Sequence, residues 1–262
     1  MTTCPAELVT FAHRLADIAA GILRDNVRRE IVVETKADGS PVTAVDRLVE
    51  TALRREIEQA FPAHGIIGEE LPPSQKDAEW LWIIDPLDGT KEFIQGLPLF
   101  GTLLALAHRG RLVLGLAEQP LTRDRWISMS GQGTRFNGHP AHVRPCASLD
   151  RAVASVMGYD SFCAADHECL AGIRQSVRSV VIADSFYVFG LLAIGRVDLI
   201  VSNGFALHDY AALDVIVREA GGVMMDWHGQ PLTLHSGPSI LAAGDPALAA
   251  QVLPRLHPAP DA

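Results

Sequence analysis

The chain has 262 residues, 48% of them hydrophobic, which is enough for one large domain or two that share an interface and too apolar for a disordered chain. Its formal charge of −9, from 31 acidic and 22 basic residues, and the lack of any basic run exclude a nucleic acid as the main partner. No stretch reaches the ~20 apolar residues that cross a bilayer, so no membrane partner is expected.

Leu8, Phe11, Leu15, Ile18 and Ile22 recur in steps of three and four, which predicts an amphipathic helix over 6–29. This opening segment has no signal-peptide core. The four cysteines, Cys4, Cys146, Cys163 and Cys169, form no CxxC and no framework, as expected of reduced thiols in a cytoplasmic protein. After the short apolar piece IVVET (31–35), KADGSP (36–41) predicts a polar turn. A second helix starts near Thr43, buries Val45, Val49, Leu53 and Ile57, and stops at Phe61-Pro62. GIIGEE (65–70) and WLWIID (80–85) read as short buried strands. GTLLALAHRG (101–110) and RLVLGLAEQP (111–120) read as a hairpin turning at Arg109-Gly110, and WISMSGQGTRFNG (126–138) as further antiparallel strands. Past Pro145 the short apolar runs AVASVM, SVVIAD, VDLIVS, GGVMMD and ILAAG alternate with helix-like segments, one of them over about 208–220. The reading is an α+β half, 1–145, followed by an α/β half, 146–262, with no repeats and no low-complexity linker, so that the halves pack tightly.

The most informative stretch is DPLDGT (85–90). Asp-Pro and Asp-Gly are turn formers, and a turn is one reading. The other places Asp85 at the carboxyl end of a buried strand, where α/β proteins gather ligands, with Asp88 three residues on. Gly89-Thr90 then opens a helical turn whose free N–H groups suit a phosphate. A metal-bound phosphate needs more oxygens, and candidates lie elsewhere. Glu69 and Glu70 end GIIGEE, and Asp209 opens HDYAALDVIVREAGG (208–222), where it is equally read as a favourable acid at a helix start. Asp46, three residues after Thr43, also fits a capping box.

Taken together, PVTAVD (41–46), GEE (68–70), WIIDPLDGT (82–90), HDYAA (208–212) and EAGG (219–222) resemble, in this order and over most of the chain, the inositol monophosphatase superfamily of metal-dependent phosphomonoesterases. The resemblance implies a layered αβαβα sandwich. It implies two, or three, Mg²⁺ ions held by Glu69, Asp85, Asp88, Asp209 and the Leu87 carbonyl. Asp46, Glu69 and Thr90 would orient and activate the attacking water, and the amides of Gly89 and Thr90 would receive the phosphate. Lys36 stands on the family's mobile loop near a weaker metal position, and Glu70 stands behind the ligands. A small-molecule phosphate monoester as substrate and a homodimeric, cytoplasmic protein are implied by the same resemblance.

The charges agree with this. A phosphate monoester carries about −1.5 to −2 near neutral pH, and two like charges about 4 Å apart repel by roughly 4 kcal/mol at an effective dielectric of about 20. Bare carboxylates would reject such a substrate, whereas divalent cations reverse the sign, and all-oxygen ligands favour Mg²⁺ over Zn²⁺. No covalent phosphoenzyme is needed. The aspartate-nucleophile phosphatases use D-x-D-G-T, not the D-x-x-D-G-T found here, and an EF-hand loop lacks its alternate acids and closing glutamate. GQGTRFNG is too loosely spaced for a dinucleotide loop and reads as a turn. His139 and His142 read as surface residues, and Cys163 and Cys169 as partly buried packing on a helix.

For the organic part of the substrate, EQPLTRDRW (118–126), RPCASLDRAV (144–153), ADSFYVFGLLAIGRVDLIV (183–201) and GGVMMDWHGQPL (221–232) resemble the histidinol-phosphate phosphatase branch. Asp184 would pair with a cationic amino group, or else cap the helix from Ser185. Ser202 stands where related enzymes carry a glutamate that contacts substrate, and Asp209 closes the same region. His208 replaces the usual tryptophan or tyrosine. Inositol-1-phosphate and a nucleotide 3′-phosphate are the alternative substrates. A non-catalytic metal-binding regulator is the alternative from another class; it would have lost a ligand or Thr90, and this sequence keeps them.

Overall fold

A computed structural model of the chain describes residues 4–30, 32–36, 39, 41–158 and 161–256. In chain order the elements are α1 (Ala6–Asn26), β1 (Val33–Thr35), β2 (Pro41–Thr43), α2 (Ala44–Ala60), β3 (Gly65–Gly68), β4 (Trp80–Asp88), α3 (Thr90–Gln95), β5 (Gly101–His108), β6 (Arg111–Gln119), β7 (Asp124–Met129), β8 (Gly133–Phe136) and β9 (His139–Ala141). They continue through a 3₁₀ turn (Leu149–Arg151) to β10 (Val153–Met157), α4 (Ala164–Ser176), β11 (Ser179–Val181), α5 (Tyr187–Ala193), β12 (Leu199–Ser202), α6 (Leu207–Glu219), β13 (Val223–Asp226), β14 (Ile240–Ala243) and α7 (Pro246–Leu256). The first helix stops at Asn26 rather than 29, where the Asn26 amide turns back onto the Ile22 carbonyl (2.8 Å). IVVET supplies β1, an exposed strand of a two-stranded ribbon with β2. Ile31 and, from the predicted KADGSP turn, Ala37, Asp38 and Ser40 lie outside the described residues.

The strands form a seven-stranded sheet in sequential order from β3 to β9 and a five-stranded sheet ordered β11-β10-β12-β14-β13. In the first, only β3 and β4 are parallel; in the second, β10 runs parallel to β11 and β12, and β14 antiparallel to β12 and β13. The five layers follow from where the apolar side chains go. Along β4, Trp82 and Ile84 enter one core with α1 and α2, while Leu81 and Ile83 enter another with α5 and α6. A strand covered on both faces reads as a continuous apolar run, which is why WLWII shows no alternation. The second core lies between the two sheets, and a third, with Phe162, Leu170, Leu248 and Val252, covers the far face of the five-stranded sheet with α4 and α7. The order is helix, sheet, helix, sheet, helix, the αβαβα sandwich.

α6 packs directly against the seven-stranded sheet at Gly115 of β6. A Cβ there would fall well inside contact distance of the Ala212 carbonyl and 3.0 Å from the Val215 Cβ. The glycine thus sets how deep α6 sits, and with it the depth of Asp209 in its first turn. One expectation about side chains needs correction. Cys163 is exposed at the start of α4, where its N–H bonds Asp166 (2.9 Å), and only Cys169 is partly buried. GQGTRFNG holds the short strand β8 between its turns, and His139 and His142 are exposed, as expected.

Candidate active site

β4 ends in a bulge. Its register with β5 runs Asp85↔Leu103 and then Asp88↔Gly101, three steps facing two. In a flat strand residues 85 and 88 would point to opposite faces; the extra residue returns Asp88 to the side of Asp85. The Leu87 N–H donates to Asp85 Oδ1 (3.0 Å), and the Thr102 hydroxyl donates to the Pro86 carbonyl (2.9 Å), which fixes the bulge. Gly89 follows with φ +80°, where a Cβ would meet the Leu99 carbonyl at 2.7 Å, so both the conformation and the space call for glycine. Through it the chain turns into α3, led by Thr90.

Asp85, Asp88 and Asp209 bring one carboxylate oxygen each to within 4.8 Å of one another. Asp209 caps its own helix with Oδ2, which accepts the Ala206 N–H (2.6 Å), and its Oδ1 lies 3.6 Å from His208 Nε2. Asp46 is divided in the same way. Its Oδ2 accepts the Thr43 N–H (2.9 Å) and hydroxyl (2.6 Å), and its Oδ1 accepts the Thr90 hydroxyl (3.1 Å). In both residues one oxygen serves the helix start and the other is left for a different partner, because a carboxylate has two. The Thr90 hydroxyl also lies 3.1 Å from the Leu87 carbonyl. Lys36 Nζ lies 2.6 Å from both Glu69 Oε1 and Glu70 Oε1.

Burial pushes the carboxyls of Asp85 and Asp88 well above the usual carboxylate range and that of Asp209 up as well, and mutual repulsion among these groups and Glu69 adds to it. Burial lowers the Lys36 ammonium, but its bonds to Glu69 and Glu70 outweigh this and raise it. Burial also raises Asp46. An all-oxygen cluster whose members disfavour one another's charge is what a hard divalent cation relieves, so the donor set fits such an ion. A cation takes these carboxylates deprotonated, and protons compete with it. The sign follows from the raised values: without cation the fold is penalised while the three are ionised, and the penalty lifts as pH falls through them. The rise in Tm given by saturating Mg²⁺ over EDTA is therefore expected to grow with pH, and thermal melts across a pH series check it; an increment indifferent to pH would contradict it.

The cleft in front of these residues has a volume of about 250 Å³. Glu69, Asp88, Gly89, Thr90 and Asp209 line it, together with Glu92, Gly158, Ser161, Asp184 and Asn203. Asp184 is exposed, and its Oδ1 accepts the Gly158 N–H (2.8 Å); the Tyr187 N–H at the start of α5 is taken by Ser185 instead (3.3 Å). Ser202 does not reach the cleft: it is fully buried at the end of β12 and donates to the Ile240 carbonyl (3.3 Å). One residue on, Asn203 faces the cleft, its Nδ2 bound to the Ser161 carbonyl (2.9 Å). The sequence reading missed Glu92 and Asn203. Glu92 had a local signal, an acid in the first turn after Gly89-Thr90. Burial raises its carboxyl, with the charge of Asp184 contributing.

No helix among the described residues is long and apolar enough to cross a membrane. The model of the inositol monophosphatase family matches residues 5–260. The bifunctional phosphatase IMPL2, chloroplastic, of Arabidopsis thaliana is 35% identical over 96% of this chain and 76% of its own length. The histidinol-phosphatase of Mycobacterium tuberculosis is 32% identical over 87% of this chain and 89% of its own. Among solved structures, an inositol monophosphatase from Zymomonas mobilis superposes with a TM-score of 0.87 at 40% identity, covering 97% of this chain and 99% of that one.

Proposed function

The chain belongs to the inositol monophosphatase family and is a phosphoric monoester hydrolase, and from that premise we propose that its substrate is a small phosphate monoester with a cationic organic part, histidinol phosphate first among them. The observation that carries this is the rim. Glu92 and Asp184 line the cleft with Gly89 and Thr90 and are not members of the aspartate cluster, so two further carboxylates are at hand for the organic end. A protonated amine held between them gains ion pairing that a neutral polyol does not. Inositol-1-phosphate is the second reading, favoured by the Zymomonas mobilis enzyme at 40% identity.

The reacting end rests on residues in or directly beside β3, β4, α3 and α6. The phosphate is received by the amides of Gly89 and Thr90 at the start of α3, with Glu69, Asp85, Asp88, Asp209 and the Leu87 carbonyl available for divalent cations, for which Mg²⁺ is the proposal. When bound, such ions screen the phosphate charge, favour deprotonation of water and stabilise the leaving oxygen. Thr90 is poised to orient the attacking water: its hydroxyl hydrogen goes to Asp46 Oδ1, which leaves its oxygen to accept the water's hydrogen. Asp46, raised by burial and anchored by Thr43, is a willing proton acceptor through Thr90. The water oxygen bonds to phosphorus, the ester P–O bond breaks, and the departing alkoxide is reprotonated from solvent.

The test is a panel of histidinol phosphate, inositol-1-phosphate and p-nitrophenyl phosphate, each with Mg²⁺ and with EDTA. Mg²⁺-dependent release from all three is expected, with the highest kcat/KM on histidinol phosphate. The double variant Glu92→Gln/Asp184→Asn should lower kcat/KM for histidinol phosphate by about 10-fold or more, a charge-assisted contact being worth that much, and leave p-nitrophenyl phosphate turnover within about twofold. A preference for inositol-1-phosphate that survives the double variant would favour the second reading.

A further inference from the structure

Beside the apolar stripe of α2 (Val45, Val49, Leu53, Ile57) runs a charged one, displaced by one residue: Asp46, Glu50 and Arg54, also at steps of four and also buried. Residues four apart stack on one face of a helix. Asp46 meets Thr90, as described. Glu50, one turn on, is 0% exposed, and every partner of its carboxylate is accounted for. Arg54 Nε donates to Oε1 (2.7 Å), the Leu71 N–H to the same oxygen (3.2 Å), and the Glu70 N–H to Oε2 (2.7 Å). Arg54 closes the ring by donating Nη2 to the Leu71 carbonyl (3.0 Å).

The ring therefore holds the backbone of the turn that follows β3, on both sides of the peptide after Glu70. A second observation locates the clamp directly beneath the turn: a Cβ on Gly68 would run into the Glu50 carboxylate, with Oε2 at 2.8 Å. The residue between Gly68 and the clamped amide is Glu69, whose charge acts on Asp85 and whose carboxylate lines the cleft.

We propose that Glu50, braced by Arg54, is a positioning residue for the cation centre, fixing the turn so that Glu69 reaches the aspartates of β4 and α6. α2 thereby sets two parts of the site one helical turn apart, Thr90 through Asp46 and Glu69 through Glu50. This rests on the cation reading of the site. A group that orients a ligand is worth about 10–100-fold in affinity for the metal when removed.

The experiment uses the full chain stripped of cations. In Glu50→Gln the amide turns its NH₂ toward either the Glu70 N–H or Arg54, so the turn loses one anchor while the side chain keeps its volume. The Mg²⁺ dissociation constant, measured by calorimetric titration and by the Mg²⁺ dependence of Tm, is expected to rise about 10-fold, with kcat at saturating Mg²⁺ within about threefold of the parent. Arg54→Lys, which keeps the charge but loses the bond to the Leu71 carbonyl, should raise it by a smaller factor and serves if Glu50→Gln does not fold. A lowered Tm with an unchanged Mg²⁺ dissociation constant in the folded variants overturns the assignment and leaves Glu50 a packing residue. A parent protein that binds no Mg²⁺ overturns the cation reading itself, and this assignment with it.

Discussion

Asp88→Asn is expected to lower kcat by about 10³-fold or more while the protein stays folded. Asp88 is one of the three carboxylates that converge in the cleft, and an amide in its place offers a neutral oxygen where a cation needs a charged one. A loss of about 4 kcal/mol of transition-state stabilisation, the scale of one ligand's share in a metal-assisted displacement, corresponds to that factor. The structural bond survives, since the asparagine oxygen still accepts the Phe186 N–H that Asp88 Oδ1 now takes at 2.9 Å. With one of three mutually repelling charges removed, the cation-free Tm should hold or rise, by about 2–4 °C for each kcal/mol relieved. Steady-state turnover with p-nitrophenyl phosphate and a thermal melt in EDTA measure both quantities. Comparable kcat in the variant would mean that Asp88 is not a ligand.

Gly115→Ala is the largest effect expected on stability, about 3 kcal/mol, or roughly 6–12 °C in Tm. The added methyl meets the Ala212 carbonyl and Val215 on α6, backbone and branched side chain that have no rotamer by which to escape. α6 must move off the sheet or the strand must bend. Because Asp209 rides in the first turn of that helix, a shift of α6 also weakens cation binding, so the Tm increment from Mg²⁺ should shrink as well. A melt within about 2 °C of the parent would show that the interface between the sheet and α6 is softer than its geometry implies.

The parts of the molecule that the sequence disclosed are those whose physics is local. Val45, Val49, Leu53 and Ile57 announce α2 by period, and Arg109-Gly110 between two apolar runs announces a hairpin, whose turn then takes φ angles of +49° and +75°. Asp85, Asp88, Gly89 and Thr90 are adjacent in the chain, so their chemistry was legible as a motif. Ser202 and Asn203 illustrate the opposite. Counting back from Asp209 indicates Ser202, but which of two neighbours faces the cleft depends on where β12 ends, and a slip of one residue exchanges inside for outside. The spacing of Glu50 and Arg54 is the same for an exposed i,i+4 pair as for a buried one, and only their burial tells the two apart.

The residues around the cleft come from two kinds of segment. Asp88 and Asp209 belong to a strand and a helix packed into the cores and Glu69 directly follows a strand, whereas Gly158, Ser161, Asp184 and Asn203 belong to the connections after β10, before α5 and after β12. Connections accept replacement and insertion far more readily than packed elements. A lineage of this architecture can therefore drift in these few surface segments while the packed elements beneath them are inherited unaltered.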